Sequence, residues 1–201
     1  MSAPHDALEA DPYIGPLIER YGHLELDPAE DMFQRLVVAI LRQQVSMASA
    51  EATRERLFDA VEMTPAGLAS AEEATLRDCG LSRQKASYVR NVAEAFESTY
   101  DRAYFEALDD QAVIDELTTI KGVGEWTARM QLLFSLGRPD VFPVGDLGVR
   151  KGMRALFDDD MSREAMVERA ERWAPYRSYA TLYLWRLDED VADSVAEVDE
   201  A

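Results

Sequence analysis

The sequence predicts an all-α fold, and three observations support this prediction. Apolar residues recur three and four positions apart, as in Phe33, Leu36, Val37 and Ile40, which is the spacing of one helix face. Residues that favour helix starts and helix ends bracket such runs. No segment combines a strand-like alternation of apolar and polar residues with the turn residues of a hairpin, so strands are not expected.

The first helices are predicted from their start signals. Asp27 is expected to cap a helix that has Pro28 in its first turn and Glu30 reaching back to the start. Ser46 is expected to cap the next helix, because a serine side chain readily accepts a hydrogen bond from the first turn.

A shorter helix is predicted to end at Gly80, which suits the left-handed conformation of a helix end. Ser70 and Glu73 have the spacing of a capping box at its start. Ser82 is expected to cap the helix that follows. Later helices are predicted to begin near Asp110, Gly124, Asp146, Ser162 and Pro175.

The chain is strongly acidic. It carries 39 Asp and Glu against 21 Lys and Arg, for a net charge of −18, and this balance by itself disfavours a polyanionic partner. Lysine occurs only at Lys85, Lys121 and Lys151. Such surfaces are typical of a salt-loaded cytoplasm, where at ~1 M salt charges act over only about 3 Å. A halophilic source is therefore predicted, with a merely solubilising acidic surface as the alternative.

Composition also excludes several classes of protein. Cys79 is the single cysteine, so an intramolecular disulfide and any four-cysteine metal site are excluded. No apolar stretch is long enough to cross a membrane, and residues 1–10 lack the pattern of a secretory signal. A cytoplasmic, soluble monomer that needs no cofactor for its chemistry is expected.

Residues 117–128 place Gly122 and Gly124 in a short turn between two predicted helices. Glycine lets a ligand approach the backbone closely, and the start of the second helix offers N–H groups and a positive dipole end to an anion. Backbone amides can position DNA phosphates without lysine and without reading sequence. An ordinary tight turn between helices is the alternative interpretation.

Asp146 follows this hairpin at the start of a predicted helix. Aspartate is a favoured helix cap, which is one interpretation of this residue. The other is a catalytic carboxylate at the mouth of a cleft.

Several segments together resemble the 3-methyladenine DNA glycosylase II branch of the helix-hairpin-helix glycosylase superfamily. The similarity lies in residues 39–46, 79–86, 120–128, 140–148, 173–180 and 183–185, in the order of that family. The resemblance implies two helical lobes flanking a DNA-binding cleft. It places the glycosylase domain in residues 1–187, with the helix-hairpin-helix motif in residues 110–136, and leaves residues 188–201 as an acidic tail that frays. Some larger relatives carry an extra N-terminal β-rich domain, which is not expected in residues 1–26.

The family's catalytic aspartate corresponds to Asp146. The resemblance implies that the protein binds double-stranded DNA, flips out an alkylated purine and hydrolyses its N-glycosidic bond. A carboxylate near the sugar would stabilise the oxocarbenium-like transition state. Bifunctional relatives have a lysine where this chain has Trp126, so no strand cleavage is expected. The residues expected to contact the base are Trp126, Trp185, Leu147 and Met130, of which Leu147 and Met130 stand where some relatives have aromatic residues.

Further roles follow from the same resemblance. Gln44 corresponds to the wedge that fills the gap left by the flipped base, and its alternative interpretation is an exposed helix end. The other residues expected to contact DNA are Lys121, Gly122, Gly124, Thr127, Arg150 and Lys151. A structural K⁺ or Na⁺ is expected on the backbone carbonyls of Thr118, Ile120 and Val123. Arg177 matches a family position, and no role beyond support of the cleft is expected for it. The resemblance also implies association with the nucleoid.

Three alternative functions stay open at this point. The first is a glycosylase for oxidised or deaminated bases. The second is a non-catalytic DNA damage-binding protein, against which the presence of Asp146 argues. The third is an acidic helical protein–protein module, which explains the charge but not the order of the motifs.

Overall fold

The computed structural model describes residues 4–187. These residues form thirteen α-helices and one short 3₁₀ helix, Glu171–Trp173, and contain no strand, which confirms the all-α prediction. The α-helices are α1 (Pro4–Glu9), α2 (Gly15–Tyr21), α3 (Met32–Arg42), α4 (Met47–Ala60), α5 (Pro65–Ser70), α6 (Glu73–Asp78), α7 (Arg83–Ser98), α8 (Arg102–Glu106), α9 (Asp110–Thr119), α10 (Glu125–Phe134), α11 (Leu147–Leu156), α12 (Arg163–Ala170) and α13 (Arg177–Arg186). The predicted acidic tail, residues 188–201, lies outside the described residues.

The chain divides into two compact helical units, as predicted. Among the described residues, one unit is Ala29–Leu136, and the other combines residues 4–28 with residues 137–187. The helix-hairpin-helix segment belongs to the first unit and Asp146 to the second. Within residues 4–187, no helix has the length and apolar character that a membrane crossing requires.

The core of the Ala29–Leu136 unit forms where α7 packs against α3 and α5. Leu36, Val37 and Ile40 of α3 are fully buried, as are Val89 and Val92 of α7. Each such side chain stabilises the fold by about 1.5–3 kcal/mol. The pair α9 and α10 forms the helices of the hairpin, and α10 also contacts α3.

The second unit is built on the contact between α11 and α13. Gly152 makes this contact close, because a Cβ at this position would stand 2.4 Å from the Leu184 carbonyl oxygen. The buried Tyr183 hydroxyl donates to the Gly22 carbonyl at 2.9 Å and accepts from the Leu24 N–H at 3.0 Å. Residues 22–24 are thereby fixed to α13.

Two predicted helix starts are wrong. The helix expected from Asp27 begins at Met32 instead, and its cap is Asp31, whose carboxylate accepts from the Gln34 N–H at 2.9 Å. Residues 27–30 stay outside it, with the Ala29 N–H donating to the Phe134 carbonyl at 2.7 Å. Ser70 does not cap α6, because it is the last residue of α5.

Other local predictions are confirmed. Ser46, Ser82 and Ser162 cap α4, α7 and α12, each accepting a hydrogen bond from the N–H three residues later. Gly80 has φ of +103° and ends the segment that contains α6, as expected. The short helices α1, α2, α5 and α8 were not predicted.

Candidate active site

The hairpin turn lies between α9 and α10. Gly122 has φ of +114°, and a Cβ there would stand 2.4 Å from Cγ of Tyr88, so both its backbone conformation and its surroundings require glycine. Gly124 caps α10 with φ of −95°, and no atom lies within 4 Å of the place where its Cβ would be. The start of α10 therefore carries no capping side chain and is open to close approach by a ligand.

Side chains of Gln43, just after α3, and of Asn91 in α7 hold this turn. The Gln43 amide donates to the Gly122 carbonyl at 3.1 Å, and the Asn91 amide donates to the Lys121 carbonyl at 2.9 Å. Within the turn, the Val123 N–H donates to the Ile120 carbonyl at 2.9 Å. Three consecutive peptide groups are thus fixed, which suits a surface that binds phosphate through its backbone.

Gln44, the expected wedge, lies exposed in the turn between α3 and α4. Its φ of +57° is the one positive value that a described residue other than glycine adopts. This conformation costs about 1–3 kcal/mol in a residue with a side chain, and such strain is found where function requires it. The neighbouring Val45 is also exposed, at 44%. Beside the turn is a pocket of about 610 Å³, whose lining includes Gln43, Gln44, Lys85, Tyr88, Gly122 and Gly124.

Asp146 lies half-buried at the start of α11, in the other unit. Its Oδ1 atom accepts from the Val149 N–H at 3.0 Å, so it is the helix cap that the sequence predicts. The same oxygen accepts from the Trp185 indole N–H at 2.8 Å. Two donors on different helices therefore fix the carboxylate, one from its own α11 and one from α13.

The loop that leads to Asp146 is also attached to α13. Arg177 forms a two-point ion pair with Asp140, with N···O distances of 2.7 and 2.9 Å, and a further ion pair with Glu171 at 2.6 Å. The Ser178 hydroxyl donates to the Arg138 carbonyl at 2.6 Å and accepts from the Val141 N–H at 2.8 Å. Arg177, for which the sequence predicted only support of the cleft, thus holds the chain just before the carboxylate.

Arg150 of α11 also holds the loop that leads to Asp146. Its guanidinium donates to the Val144 carbonyl at 3.2 Å and to the Gly145 carbonyl at 2.5 Å. These hydrogen bonds give Arg150 a structural role in the loop. Its contact with DNA stays a prediction. Lys151, the next residue, is exposed, as is Lys121 in the hairpin.

The residues expected to contact the base differ in exposure. Trp126 is 43% exposed and Leu147 is 55% exposed, so both present apolar surface to a ligand. Trp185 and Met130 are buried, at 3% and 8%. The hydrogen bond to Asp146 gives Trp185 a role that the sequence did not predict, and stacking on a base stays a prediction for it.

Thr127 differs from its expected role as a phosphate contact. Its side chain is packed inside the unit, and the residue is only 3% exposed. The hydroxyl is therefore withdrawn from the surface that the hairpin presents. A contact by this residue would have to come from its backbone N–H in the first turn of α10.

The all-α fold and the glycine turn between α9 and α10 define the class of helix-hairpin-helix proteins, and Asp146 adds a fixed carboxylate. The chain belongs to the HhH-GPD superfamily of base excision DNA repair proteins, whose family model matches residues 37–175.

Relatives and solved structures agree with this assignment. A DNA-3-methyladenine glycosylase 1 of Schizosaccharomyces pombe is 33% identical over 168 residues, which are 78% of this chain. The crystal structure of a DNA-3-methyladenine glycosidase from Bacillus halodurans has a TM-score of 0.84 at 35% identity and covers 98% of this chain and 92% of its own. A Schizosaccharomyces pombe 3-methyladenine DNA glycosylase in complex with abasic DNA has a TM-score of 0.82 at 28% identity, covering 94% and 97%. The chain spans 64% and 72% of the length of two curated relatives.

Proposed function

We propose that the protein is a base-excision-repair DNA glycosylase that hydrolyses the N-glycosidic bond of alkylated purines in double-stranded DNA. The observation that carries this proposal is the position of Asp146, whose carboxylate is fixed by the Trp185 indole and by the first turn of α11. Family membership and relatives that are named DNA-3-methyladenine glycosylases support the substrate class.

The chemistry follows from the carboxylate. Cleavage of an N-glycosidic bond builds positive charge on the sugar, which carries none in the ground state. A fixed anion beside the sugar therefore stabilises the transition state more than the ground state. Because its donors hold it in place, Asp146 needs little reorganisation during the reaction. A purine methylated at N3 or N7 is already cationic, so it leaves without a strong general acid.

The proposed mode of DNA binding uses the hairpin and the wedge. The N–H groups of α10 receive a backbone phosphate through the open approach at Gly124. Gln44 enters the duplex, and its amide fills the gap left by the flipped nucleotide. The exposed indole of Trp126 offers a face to a cationic base, an interaction worth about 0.5–2 kcal/mol.

The strand is expected to stay intact after base removal. Strand cleavage by a bifunctional glycosylase requires an amine that forms a Schiff base with the sugar. Trp126 stands at the position where the bifunctional relatives have lysine, and Lys121 lies before the two glycines instead. The product is therefore an abasic site.

The hairpin is suited to an alkali cation. Carbonyl oxygens are hard ligands with two lone pairs, so the Ile120 carbonyl retains a site after accepting the Val123 N–H. The carbonyls of Thr118, Ile120 and Val123 would hold K⁺ or Na⁺. The ion would supply a positive charge next to the DNA phosphate, and the base-removal chemistry depends on Asp146 alone.

The proposal is tested with the pure protein in molar KCl and in a low-salt control. The substrate is duplex DNA with one 7-methylguanine, compared with duplexes that carry an oxidised or a deaminated base. Release of free 7-methylguanine, with strand breakage appearing only after alkali treatment, is the expected result. Binding to every duplex without release of any base would reject the enzyme and favour a damage-binding protein.

A further inference from the structure

One face of α7 contacts both parts of the proposed DNA-binding surface in the Ala29–Leu136 unit. Lys85, Tyr88 and Asn91 are spaced three residues apart and therefore share this face. Lys85 contacts the end of α3, which leads into the Gln44 turn. Tyr88 packs against Gly122, and Asn91 donates to the Lys121 carbonyl. A single helix thus touches the wedge turn and the hairpin.

Of the contacts made by Lys85, Tyr88 and Asn91, that of Lys85 is unusual because it brings a charged group to a helix end inside the unit. Its half-buried ammonium group donates to the Leu41 carbonyl, one of the last carbonyls of α3, which have no partner within the helix. The negative dipole end of α3 stabilises the positive charge there. Burial lowers the pKa of the Lys85 amine, so this contact replaces lost hydration. Lys85 lies in the first turn of α7, where its backbone N–H donates to the capping Ser82 hydroxyl at 3.1 Å.

The chain beyond Leu41 needs such support. Gln43 is extended, with ψ of 124°, and Gln44 then turns into the left-handed region. A residue other than glycine stays in that region only where its surroundings hold it. Gln43 adds a second contact between this turn and the hairpin, because its side-chain amide donates to the Gly122 carbonyl at 3.1 Å.

We propose that Lys85 is a positioning residue, which through the end of α3 keeps the Gln44 wedge at a fixed place relative to the hairpin. This inference rests on the proposed function. Lys85 is assigned to the extrusion of the base, because its contact is with the end of α3 that leads into the Gln44 turn.

The test separates extrusion from chemistry by changing the substrate. One duplex carries 7-methylguanine paired with cytosine. The other carries it opposite an abasic analogue, where no base pair has to be broken. Single-turnover base release is measured on both duplexes for the native protein, for Lys85→Met and for Lys85→Arg. Arg90→Met is the matched control, since it removes a positive charge from the same helix at a residue with no described contact to the hairpin or the wedge turn.

Lys85→Met is expected to slow release from the paired duplex by about tenfold or more, the usual effect of losing a hydrogen bond from a charged donor. The loss on the unpaired duplex should be less than about threefold on the same scale. Lys85→Arg should restore most of the rate, and Arg90→Met should behave as the native protein. Equal losses on both duplexes, or no loss on the paired duplex, would overturn the inference.

A second variant covers the case in which Lys85→Met does not fold. Gln43→Met removes the hydrogen bond to the Gly122 carbonyl and keeps a side chain of similar length. It should show the same selective loss on the paired duplex, and an equal loss on both would overturn the inference. A native protein that releases no base from either duplex would instead contradict the proposed function, so the two failures are distinguishable.

Discussion

Trp185 donates its indole N–H to Oδ1 of Asp146 across 39 residues of sequence, at 2.8 Å. The indole is almost fully buried, while the carboxylate is half-buried. The bond therefore joins the interior of one unit to the group proposed to face the sugar. A hydrogen bond to a charged acceptor is stronger and more directional than one between neutral groups, so it fixes the orientation of the carboxylate.

Replacing Trp185 with phenylalanine tests this relationship. Trp185→Phe keeps an aromatic ring in the core but removes the N–H, and the loss of such a bond costs about 1.5–3 kcal/mol. Base release at saturating enzyme should slow by about ten- to a hundredfold. Affinity for DNA that contains an abasic analogue should stay within about threefold, because the hairpin is unchanged.

Trp173→Phe is the matched control for that variant. Trp173 is also buried in the same unit, and its Nε1 has no hydrogen-bond partner. The substitution makes the same change in volume without breaking a bond to the carboxylate. If both variants slowed base release equally, the effect would come from packing and the positioning role of Trp185 would be rejected.

The two glycines of the hairpin are expected to respond differently to alanine. Gly122→Ala places a Cβ against Tyr88 at positive φ and should lower the free energy of unfolding by about 1–3 kcal/mol. Gly124→Ala meets no atom within 4 Å at negative φ, so its stability should be close to native. It should nevertheless weaken DNA binding, because its Cβ stands where a phosphate approaches.

Thermal unfolding and titration of labelled duplex DNA at one salt concentration check this pair of variants. Gly122→Ala should be the less stable of the two, and the DNA affinity of Gly124→Ala decides whether the turn binds phosphate. A Gly124→Ala protein that binds DNA as tightly as the native protein would show that this turn is only a connection between helices.

The net charge predicts the response to salt. With −18 charges, the protein repels DNA at low ionic strength, and molar KCl screens this repulsion to about 3 Å. Base release and thermal stability should therefore both rise from low to molar KCl. An optimum at low salt would contradict the halophilic prediction and favour a surface that is acidic for solubility alone.

Cys79 provides a probe of folding, since it is the only cysteine in the sequence. The thiol is buried and donates to the Arg56 carbonyl at 3.4 Å, and burial raises its pKa above the ordinary value of 9.0. A thiol reagent should label the native protein far more slowly than the protein in denaturant. Because the folded pKa is the higher one, the contribution of this thiol to stability is fully present below pH 9.0 and is lost as the pH rises from there through the folded pKa. Rapid labelling in the native state would contradict the described burial.

The sequence predicts best what depends on neighbours in the chain. Ser46, Ser82 and Asp146 cap their helices through hydrogen bonds that span three residues, and their local patterns contain this information. The start of α3 was misplaced because a contact with a distant residue also decides it. Asp27 and Asp31 both have suitable neighbours, and the backbone bond from Ala29 to Phe134 decides between them.

Contacts between distant residues could not be predicted in this way. The bonds from Lys85 to Leu41 and from Arg177 to Asp140 connect different elements, and neither residue type nor spacing encodes the partner. The resemblance of its segment to the family did single out Arg177. It did not indicate that Asp140 would be its ion-pair partner. Exposure is also set by tertiary packing, so Thr127 was expected at the surface although it is buried.

The central claim is that the Asp146 carboxylate performs the chemistry, and Asp146→Asn tests it most directly. Asparagine caps a helix as well as aspartate does, so α11 should stay intact. Asp101→Asn is the matched control, since Asp101 caps α8 by accepting from the Tyr104 N–H at 2.7 Å. The measurement is the single-turnover rate of 7-methylguanine release, alongside the affinity for abasic-analogue DNA. We predict a loss of at least about a hundredfold in rate for Asp146→Asn alone, with affinity retained. A rate for Asp146→Asn equal to that of Asp101→Asn would contradict the claim.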